Sequence, residues 1–208
     1  RNDPHWNPVL FNAPDGKVHL YFKVGKEIDD WETWVQYSED KGKTWTAPTE
    51  LVAGDRGGRG PVRNHIIVLS DGSWLAPASN EKNKVWNAFM DRSVDGGKTW
   101  DEQYFDPQLP DPVNQASILD LEEKDGKTIL AHSNAADEKN RNNLTIKLSF
   151  DEGKTWSKSI LIDRTDDPKK QSWTAYSDLV KLNDTSIGIL YERDNYQEIV
   201  FQVVNWKK

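Results

Sequence analysis

The chain has 208 residues, more than one small hydrophobic core needs, and carries 27 Lys and Arg against 34 Asp and Glu, a formal net charge of −7. Because nucleic-acid affinity rests on phosphate neutralisation by clustered basic residues, this acidic balance argues against a nucleic-acid partner. The chain has no cysteine and four scattered histidines, which excludes disulfides and thiolate metal sites, and we expect neither a metal nor a cofactor. No apolar run approaches the roughly 18 residues of a membrane-spanning helix.

Four similar segments follow one another along the chain, each built of an apolar run, a turn and a second apolar run. In chain order they read NPVLFNAPDGKVHLYFKV, RNHIIVLSDGSWLAPAS, QASILDLEEKDGKTILAHS and YSDLVKLNDTSIGILYE. Short apolar runs joined by an Asp-Gly-type turn are typical of β-hairpins. A third run follows each hairpin, namely ETWVQYS, VWNAFMDRS, LTIKLS and, after the fourth, IVFQVVNW.

An octet of the form Ser-x-Asp-x-Gly-x-Thr-Trp follows the third run of the first three segments. The octets begin at Ser38, Ser93 and Ser149, at intervals of 55 and 56 residues. The aspartate can accept hydrogen bonds from its own turn, and the glycine tolerates a positive φ. We therefore interpret the octets as structural turns, since their spacing lacks the additional oxygen ligands of a calcium loop. Their principal residues are Asp40, Trp45, Asp95, Trp100, Asp151 and Trp156.

The two hairpin strands, the third run and a short closing strand after the octet make four strands per repeat. This count predicts an all-β fold, a β-propeller of four-stranded antiparallel blades. We expect one domain over residues 1–208 with about four blades, at residues 4–53, 60–108, 112–163 and 172–206. The chain begins without an initiator methionine or an apolar targeting segment, so we expect the natural N-terminus to lie upstream. An open stack of blades leaves two sheet faces uncovered, and missing N-terminal blades or a partner chain would close it.

A propeller binds its ligand where the inner strands converge. Superposing the four hairpins on their turn aspartates makes two sets of polar residues equivalent. Eight positions before the turn stand Asn7, Arg63, Ser117 (or Gln115, if two extra residues are allowed for) and Tyr176. Eight positions after it stand Lys23, Ser79, Ser133 and Glu192. Polar groups that converge at one end of apolar strands are costly unless they are paired or bind a ligand, so these two sets predict the site.

The octets resemble the Asp boxes of the sialidase (neuraminidase) superfamily, and AYSDLVKLNDTSIGILYERDNYQEIVF resembles the end of exo-sialidases. The resemblance covers the whole chain and implies a six-bladed propeller. It also implies that Tyr176 is the nucleophile and that Glu192 steadies the first arginine of a carboxylate-binding triad. Arg141 matches the third arginine of that triad. The first arginine and the catalytic acid aspartate would precede Arg1.

The chemistry of an acidic sugar agrees with a tyrosine nucleophile. A carboxylate on the anomeric carbon repels an anionic nucleophile, whereas a neutral phenol avoids that repulsion. A phenol with a pKa of ~10 needs a neighbouring base to become a nucleophile. Where the resemblance implies that base, this chain has Arg63, whose guanidinium cannot accept a proton. Where it implies the second triad arginine, this chain has Ser79, which cannot clamp a carboxylate with two hydrogen bonds. Glu81 is the candidate replacement base, and the sialidase-like BNR-repeat proteins are the group that fits better.

We therefore expect an exo-glycosidase that hydrolyses a terminal acidic sugar of a glycan, with Tyr176 and Glu81 as catalytic residues. The expected substrate-binding residues are Arg63, Arg141, Glu192, Asn7, Lys23 and Gln115. Two alternatives remain open: a carbohydrate-binding propeller without turnover, favoured by the substituted positions, and a polysaccharide lyase that abstracts a proton beside a uronate carboxylate. The lack of cysteine does not identify the compartment, and we favour a secreted or periplasmic one.

Overall fold

The protein is an all-β chain, as the sequence predicts. The computed structural model describes residues 3–54, 59–62, 64–80, 87–100 and 104–208. Within these residues fifteen strands form four antiparallel sheets, three of four strands and one of three. The described part of the chain contains no helix that could span a membrane. The chain divides into two compact units, Arg1–Phe105 and Asp106–Lys208.

The first unit contains two four-stranded sheets. The first sheet consists of β1 (His5–Asn12), β2 (Val18–Val24), β3 (Glu32–Ser38) and β4 (Thr49–Glu50), with a 3-10 turn at Ile28–Asp30 between β2 and β3. The second consists of β5 (Ile67–Val68), β6 (Trp74–Asn80), β7 (Asn87–Ser93) and β8 (Tyr104–Phe105). Their inward side chains share a core that includes Val9, Tyr21, Val35, Ile66, Trp74 and Trp100.

The second unit contains the remaining seven strands. One sheet consists of β9 (Ser117–Lys124), β10 (Lys127–Ala135), β11 (Leu144–Ser149) and β12 (Lys158–Asp163). The other consists of β13 (Thr174–Asn183), β14 (Ser186–Arg193) and β15 (Glu198–Asn205). Their shared core includes Leu121, Ile129, Leu144, Ile146, Leu179, Ile187, Ile189 and Trp206. The single domain over residues 1–208 and its four blade ranges stay predictions.

The predicted hairpins are confirmed. Asp15, Asp71, Asp125 and Asp184 lie in the connections β1–β2, β5–β6, β9–β10 and β13–β14. The runs ETWVQYS and LTIKLS are β3 and β11 over their full lengths. Period-two alternation and local turn chemistry are sufficient to specify these elements, because both act over a few residues.

Each octet is held as a turn by the same hydrogen bonds. In the third copy the Ser149 hydroxyl donates to Asp151 Oδ1 at 2.8 Å and accepts the Gly153 N–H at 2.8 Å. Asp151 also accepts the backbone N–H and the hydroxyl of Thr155, at 2.8 and 2.7 Å. The equivalent bonds of Asp40 and Asp95 are 2.6–2.9 Å long. Hydrogen bonds from the hydroxyl and backbone of Thr44 lower the pKa of Asp40 to about 2.

The glycine and the tryptophan of the octets have separate roles. Gly97 has a φ of +81°, and a Cβ there would approach Trp74 to 2.7 Å, so only glycine fits without strain. Trp100 and Trp156 are buried, whereas Trp45 is only half-buried. Trp156 lies beside His132, with ring centroids 5.6 Å apart. Burial lowers the pKa of His132 to about 3, so this imidazole is neutral at neutral pH.

Replacing Asp151 by alanine is expected to lower the free energy of unfolding by about 1–3 kcal/mol, because a half-buried turn loses its principal acceptor. Catalytic turnover should be unchanged. Urea denaturation with a parallel activity assay measures both. Asp166→Ala is the control, since this carboxylate is 87% exposed and pairs with Arg164 only at 3.6 Å. Unchanged stability with lost activity in Asp151→Ala would contradict a structural role for the octet.

Candidate functional site

Two of the residues predicted from the hairpin superposition lie at equivalent β-bulges. The β1–β2 register shifts between Trp6 and Val9, and Asn7 within this shift has a φ of +48°. The β13–β14 register shifts between Thr174 and Ser177, and Tyr176 lies within that shift. Bulges are common beside active sites because they redirect a side chain out of the regular ladder. Asn7 and Tyr176 therefore both lie in a β-bulge and occupy equivalent positions in the repeat.

The equivalent position of the third hairpin is occupied by Ser117. Ser117 lies directly opposite Ser133 in the β9–β10 ladder, and its hydroxyl donates to Asp178 at 2.9 Å. The buried hydroxyls of Ser133 and Ser177 lie 2.9 Å apart. Gln115 precedes the strand, and its amide donates to the carbonyl of the next residue at 2.6 Å. The serines thus tie β9 and β10 to β13, while substrate binding by Gln115 stays a prediction.

Arg141 reaches Tyr176 from the connection between β10 and β11. Its backbone pairs with Ser172 in an isolated parallel bridge. The Arg141 N–H donates to the Gln171 carbonyl, and the Thr174 N–H donates to the Arg141 carbonyl, both at 2.9 Å. The guanidinium carbon then lies 5.4 Å from the centroid of the Tyr176 ring. Two residues that the family resemblance implies are therefore neighbours in the structure.

Two further groups hold the Arg141 guanidinium. Nη1 donates to the Tyr196 hydroxyl at 2.6 Å, and Nη2 donates to the Val113 carbonyl at 2.8 Å. The guanidinium carbon is 6.0 Å from the Tyr196 ring centroid, so the cation contacts two tyrosine rings. Neither Tyr196 nor Val113 is among the residues predicted from the sequence. The available signal for Tyr196 was an aromatic residue in the short β14–β15 turn.

The backbone around Tyr176 is fixed on both sides. Glu192 Oε2 accepts the Tyr176 N–H at 3.3 Å, which places this carboxylate across the bulge. The side-chain amide of Asn114 donates to the carbonyl of Ala175 at 2.9 Å. Tyr176 and Arg141 are each half-buried. The arrangement presents a phenol and a guanidinium side by side, and a guanidinium in this position can bind a carboxylate.

In the first unit, Lys23 is buried and bonded to protein acceptors. The residue is only 1% exposed, and its Nζ donates to Thr33 Oγ1 at 2.6 Å and to the Arg59 carbonyl at 3.2 Å. Arg59 in turn forms a two-point ion pair with Asp91, at 2.8 and 2.9 Å. The ion pair between Arg59 and Asp91 was not predicted from the sequence. Superposing the hairpins selected Arg63, which follows the glycine-rich segment that contains Arg59. Substrate binding by Lys23 stays a prediction.

Two of the predicted site residues, Arg63 and Glu81, lie outside the described residues. The described part of the chain contains no group of three or more His, Asp or Glu side chains arranged to hold a metal ion. The candidate site within the described residues is therefore Tyr176 with Arg141, Glu192 and Tyr196. Its chemistry is that of a phenol beside a fixed cation.

Comparison with known proteins identifies the family. A sialidase from Micromonospora viridifaciens is 34% identical over 161 residues, covering 75% of this chain and 23% of the relative. A sialidase from Bacteroides fragilis is 31% identical over 186 residues, covering 83% of this chain and 30% of the relative. The structure of the NanB sialidase from Streptococcus pneumoniae matches 95% of this chain and 30% of its own, with a TM-score of 0.69 at 18% identity, which shows a shared fold. This chain thus spans less than a third of the length of each of these relatives. The model of the BNR repeat-like domain matches residues 1–110 and 91–189, so the chain belongs to that family and is a sialidase-like BNR-repeat protein.

Proposed function

We propose that this chain carries part of the active site of a sialidase-type glycoside hydrolase that releases a terminal acidic sugar from glycans. The observation that carries the proposal is the Arg141 guanidinium, held 5.4 Å from the Tyr176 ring. Tyr176 is the nucleophile, and Arg141 holds the carboxylate of the sugar. The similarity to sialidases supports this assignment, because this chain is 34% and 31% identical to two of them over most of its length.

In the first step Glu81 takes the proton of the Tyr176 hydroxyl, the resulting phenolate oxygen attacks the anomeric carbon, and the bond from that carbon to the leaving oxygen breaks. The leaving oxygen takes a proton from an acid group, and the sugar is joined to Tyr176 Oη. In the second step water attacks the same carbon, gives a proton to the group that acted as the acid, and displaces Tyr176, whose oxygen takes its proton back from Glu81. Two inversions at one carbon retain its configuration. Arg141 stabilises the phenolate and orients the sugar carboxylate throughout.

We assign the proton-transfer groups to residues outside the described part, with Glu81 as the base for Tyr176. An acid residue from a further segment of the protein would protonate the leaving oxygen. A base is required because an unassisted phenol is a weak nucleophile at neutral pH. Arg63 would contact the acidic group, and Glu192, Asn7, Lys23 and Gln115 would line the sugar site.

We further propose that the four sheets are blades of a six-bladed propeller, which other blades of the protein or a partner chain complete. The outward face of β13–β15 supports this arrangement, since Val180, Leu190 and Phe201 are about half exposed, whereas the opposite face lies in the core. A contiguous apolar face of this kind is typical of a surface that another layer covers. This chain also covers only 23% and 30% of the length of two sialidase relatives, which agrees with a propeller that has further blades.

Hydrolysis of sialylated oligosaccharides by the full-length protein tests the proposal. We expect free sialic acid, with the retained anomer appearing first in proton NMR spectra recorded during turnover. Neutral-sugar glycans serve as the control and should remain intact. An inverted product would overturn the tyrosine mechanism. A new ultraviolet absorbance from uronate polysaccharides would indicate a lyase instead, and binding of acidic glycans without any product would indicate a carbohydrate-binding module.

A further inference from the structure

Four non-glycine residues with a positive φ lie around the candidate site. Asp194, Asn195 and Tyr196 have φ values of +50°, +53° and +65°, three left-handed residues in succession. Val113 has a φ of +67°. Aspartate and asparagine tolerate this region, but a tyrosine is uncommon there and a β-branched valine is a genuine outlier. Strain of this kind persists only where the surrounding structure enforces it, and it is frequent at ligand-binding sites.

Both strained places meet on one guanidinium. The Tyr196 hydroxyl accepts Arg141 Nη1 at 2.6 Å, and the Val113 carbonyl accepts Arg141 Nη2 at 2.8 Å. These two contacts come from the β14–β15 turn and from the segment before β9, which are distant in sequence from Arg141 and from each other. A guanidinium held at both terminal nitrogens cannot rotate freely about its last bonds. The two strained residues therefore determine the plane of this cation.

The turn that carries Tyr196 is itself attached to the segment that carries Arg141. Asp194 N–H donates to the Trp173 carbonyl and Asn195 N–H to the Ser172 carbonyl, both at 2.9 Å. Ser172 is also the residue that pairs with Arg141. Lys170 adds an ion pair to Asp194 at 2.9 Å. The left-handed turn is thus held against the same strand start that fixes Arg141 and precedes Tyr176.

We infer that Tyr196 is a positioning residue for the binding of an anionic sugar, and that it acts through Arg141. Its hydroxyl and the Val113 carbonyl hold the guanidinium in the orientation that binds a carboxylate next to Tyr176. This inference rests on the proposed function. A planar, pre-oriented guanidinium binds a carboxylate through two parallel hydrogen bonds, and loss of that orientation weakens carboxylate binding in particular.

The test compares a sialic acid glycal with its primary amide as ligands of the full-length protein. Tyr196→Phe removes one oxygen from an exposed side chain, so folding should be preserved. We expect the Kd of the carboxylate ligand to rise about tenfold, because the lost hydrogen bond involves a charged group. The Kd of the amide should change less than about twofold. For a sialoside substrate we expect KM to rise about tenfold with little change in kcat.

A second variant shows whether Tyr196 acts through Arg141. In an Arg141→Lys background the plane of the guanidinium no longer exists, so adding Tyr196→Phe should have no further effect. Tyr191→Phe is the matched control. It removes a buried hydroxyl that donates to Asp163 at 2.8 Å, and it should reduce stability without altering the preference for carboxylate over amide.

The outcomes separate this inference from the proposed function. If the wild-type protein prefers the carboxylate and Tyr196→Phe keeps the full preference, the positioning role is wrong while hydrolysis can stand. If Tyr196→Phe loses the preference in a protein that hydrolyses nothing, the positioning role stands and the hydrolase proposal fails. Equal binding of carboxylate and amide by the wild-type protein would overturn both.

Discussion

Replacing Tyr176 by phenylalanine is expected to lower kcat for sialoside hydrolysis by at least about 10³-fold, because the variant has no oxygen with which to attack the anomeric carbon. Binding should be nearly unchanged. The phenyl ring can still pack against the guanidinium of Arg141, which lies 5.4 Å from the ring centroid, and that contact does not depend on the hydroxyl. Glu192 accepts the backbone N–H of Tyr176, so the bulge also survives the substitution.

Steady-state kinetics and the Kd of a sialic acid glycal measure these two expectations separately. Tyr191→Phe is the control, since it removes a phenol oxygen that donates to Asp163 and does not contact Arg141, and it should retain kcat. A mechanism-based fluorinated sialoside should label the wild-type protein on the peptide that contains Tyr176 and should leave Tyr176→Phe unlabelled. Undiminished turnover in Tyr176→Phe would overturn the tyrosine mechanism.

Replacing Asp91 by asparagine is expected to lower the free energy of unfolding by about 3–5 kcal/mol, because it leaves a buried guanidinium without its counter-charge. Asp91 is fully buried and accepts Nε and Nη2 of Arg59 at 2.8 and 2.9 Å. It also accepts the Gly60 N–H at 3.0 Å. The Arg59 carbonyl accepts hydrogen bonds from the Thr33 hydroxyl at 2.5 Å and from Lys23 Nζ at 3.2 Å. Losing the ion pair should therefore also weaken the packing of Arg59 against the first sheet.

Urea denaturation of the full-length protein measures this loss. Glu39→Gln is the control, because Glu39 pairs with Lys17 at 3.1 Å with side chains 76% and 42% exposed, and solvent screening leaves such an exposed pair with little effect on stability. The double change Arg59→Met, Asp91→Leu should be less destabilising than Asp91→Asn alone, since it removes both buried charges. Equal losses for Asp91→Asn and Glu39→Gln would show that burial does not govern this ion pair.

The octets show how much of the fold a local sequence pattern can predict. Their repeat interval is enough to make positions in successive hairpins equivalent, and Asn7 and Tyr176 do lie at equivalent bulges. The third hairpin shows the limit of this method, because the interval alone allows both Ser117 and Gln115. The ladder places Ser117 opposite Ser133. An irregularity of one or two residues in a strand has no local signature that distinguishes the two registers.

The hairpins, the octet turns and, through a family resemblance, the selection of Tyr176 and Arg141 as site residues follow from the sequence alone. These features depend on alternation, on turn chemistry and on residues close to a recognisable motif. The contacts of Val113 and Tyr196 with the Arg141 guanidinium, and the pairing of Arg59 with Asp91, are established only by the folded sheets. Such contacts join residues about 30 to 55 positions apart, and no local pattern encodes a partner at that distance. They form only when packed sheets bring separate turns together, which is why the orientation of the cation could not be read from the chain.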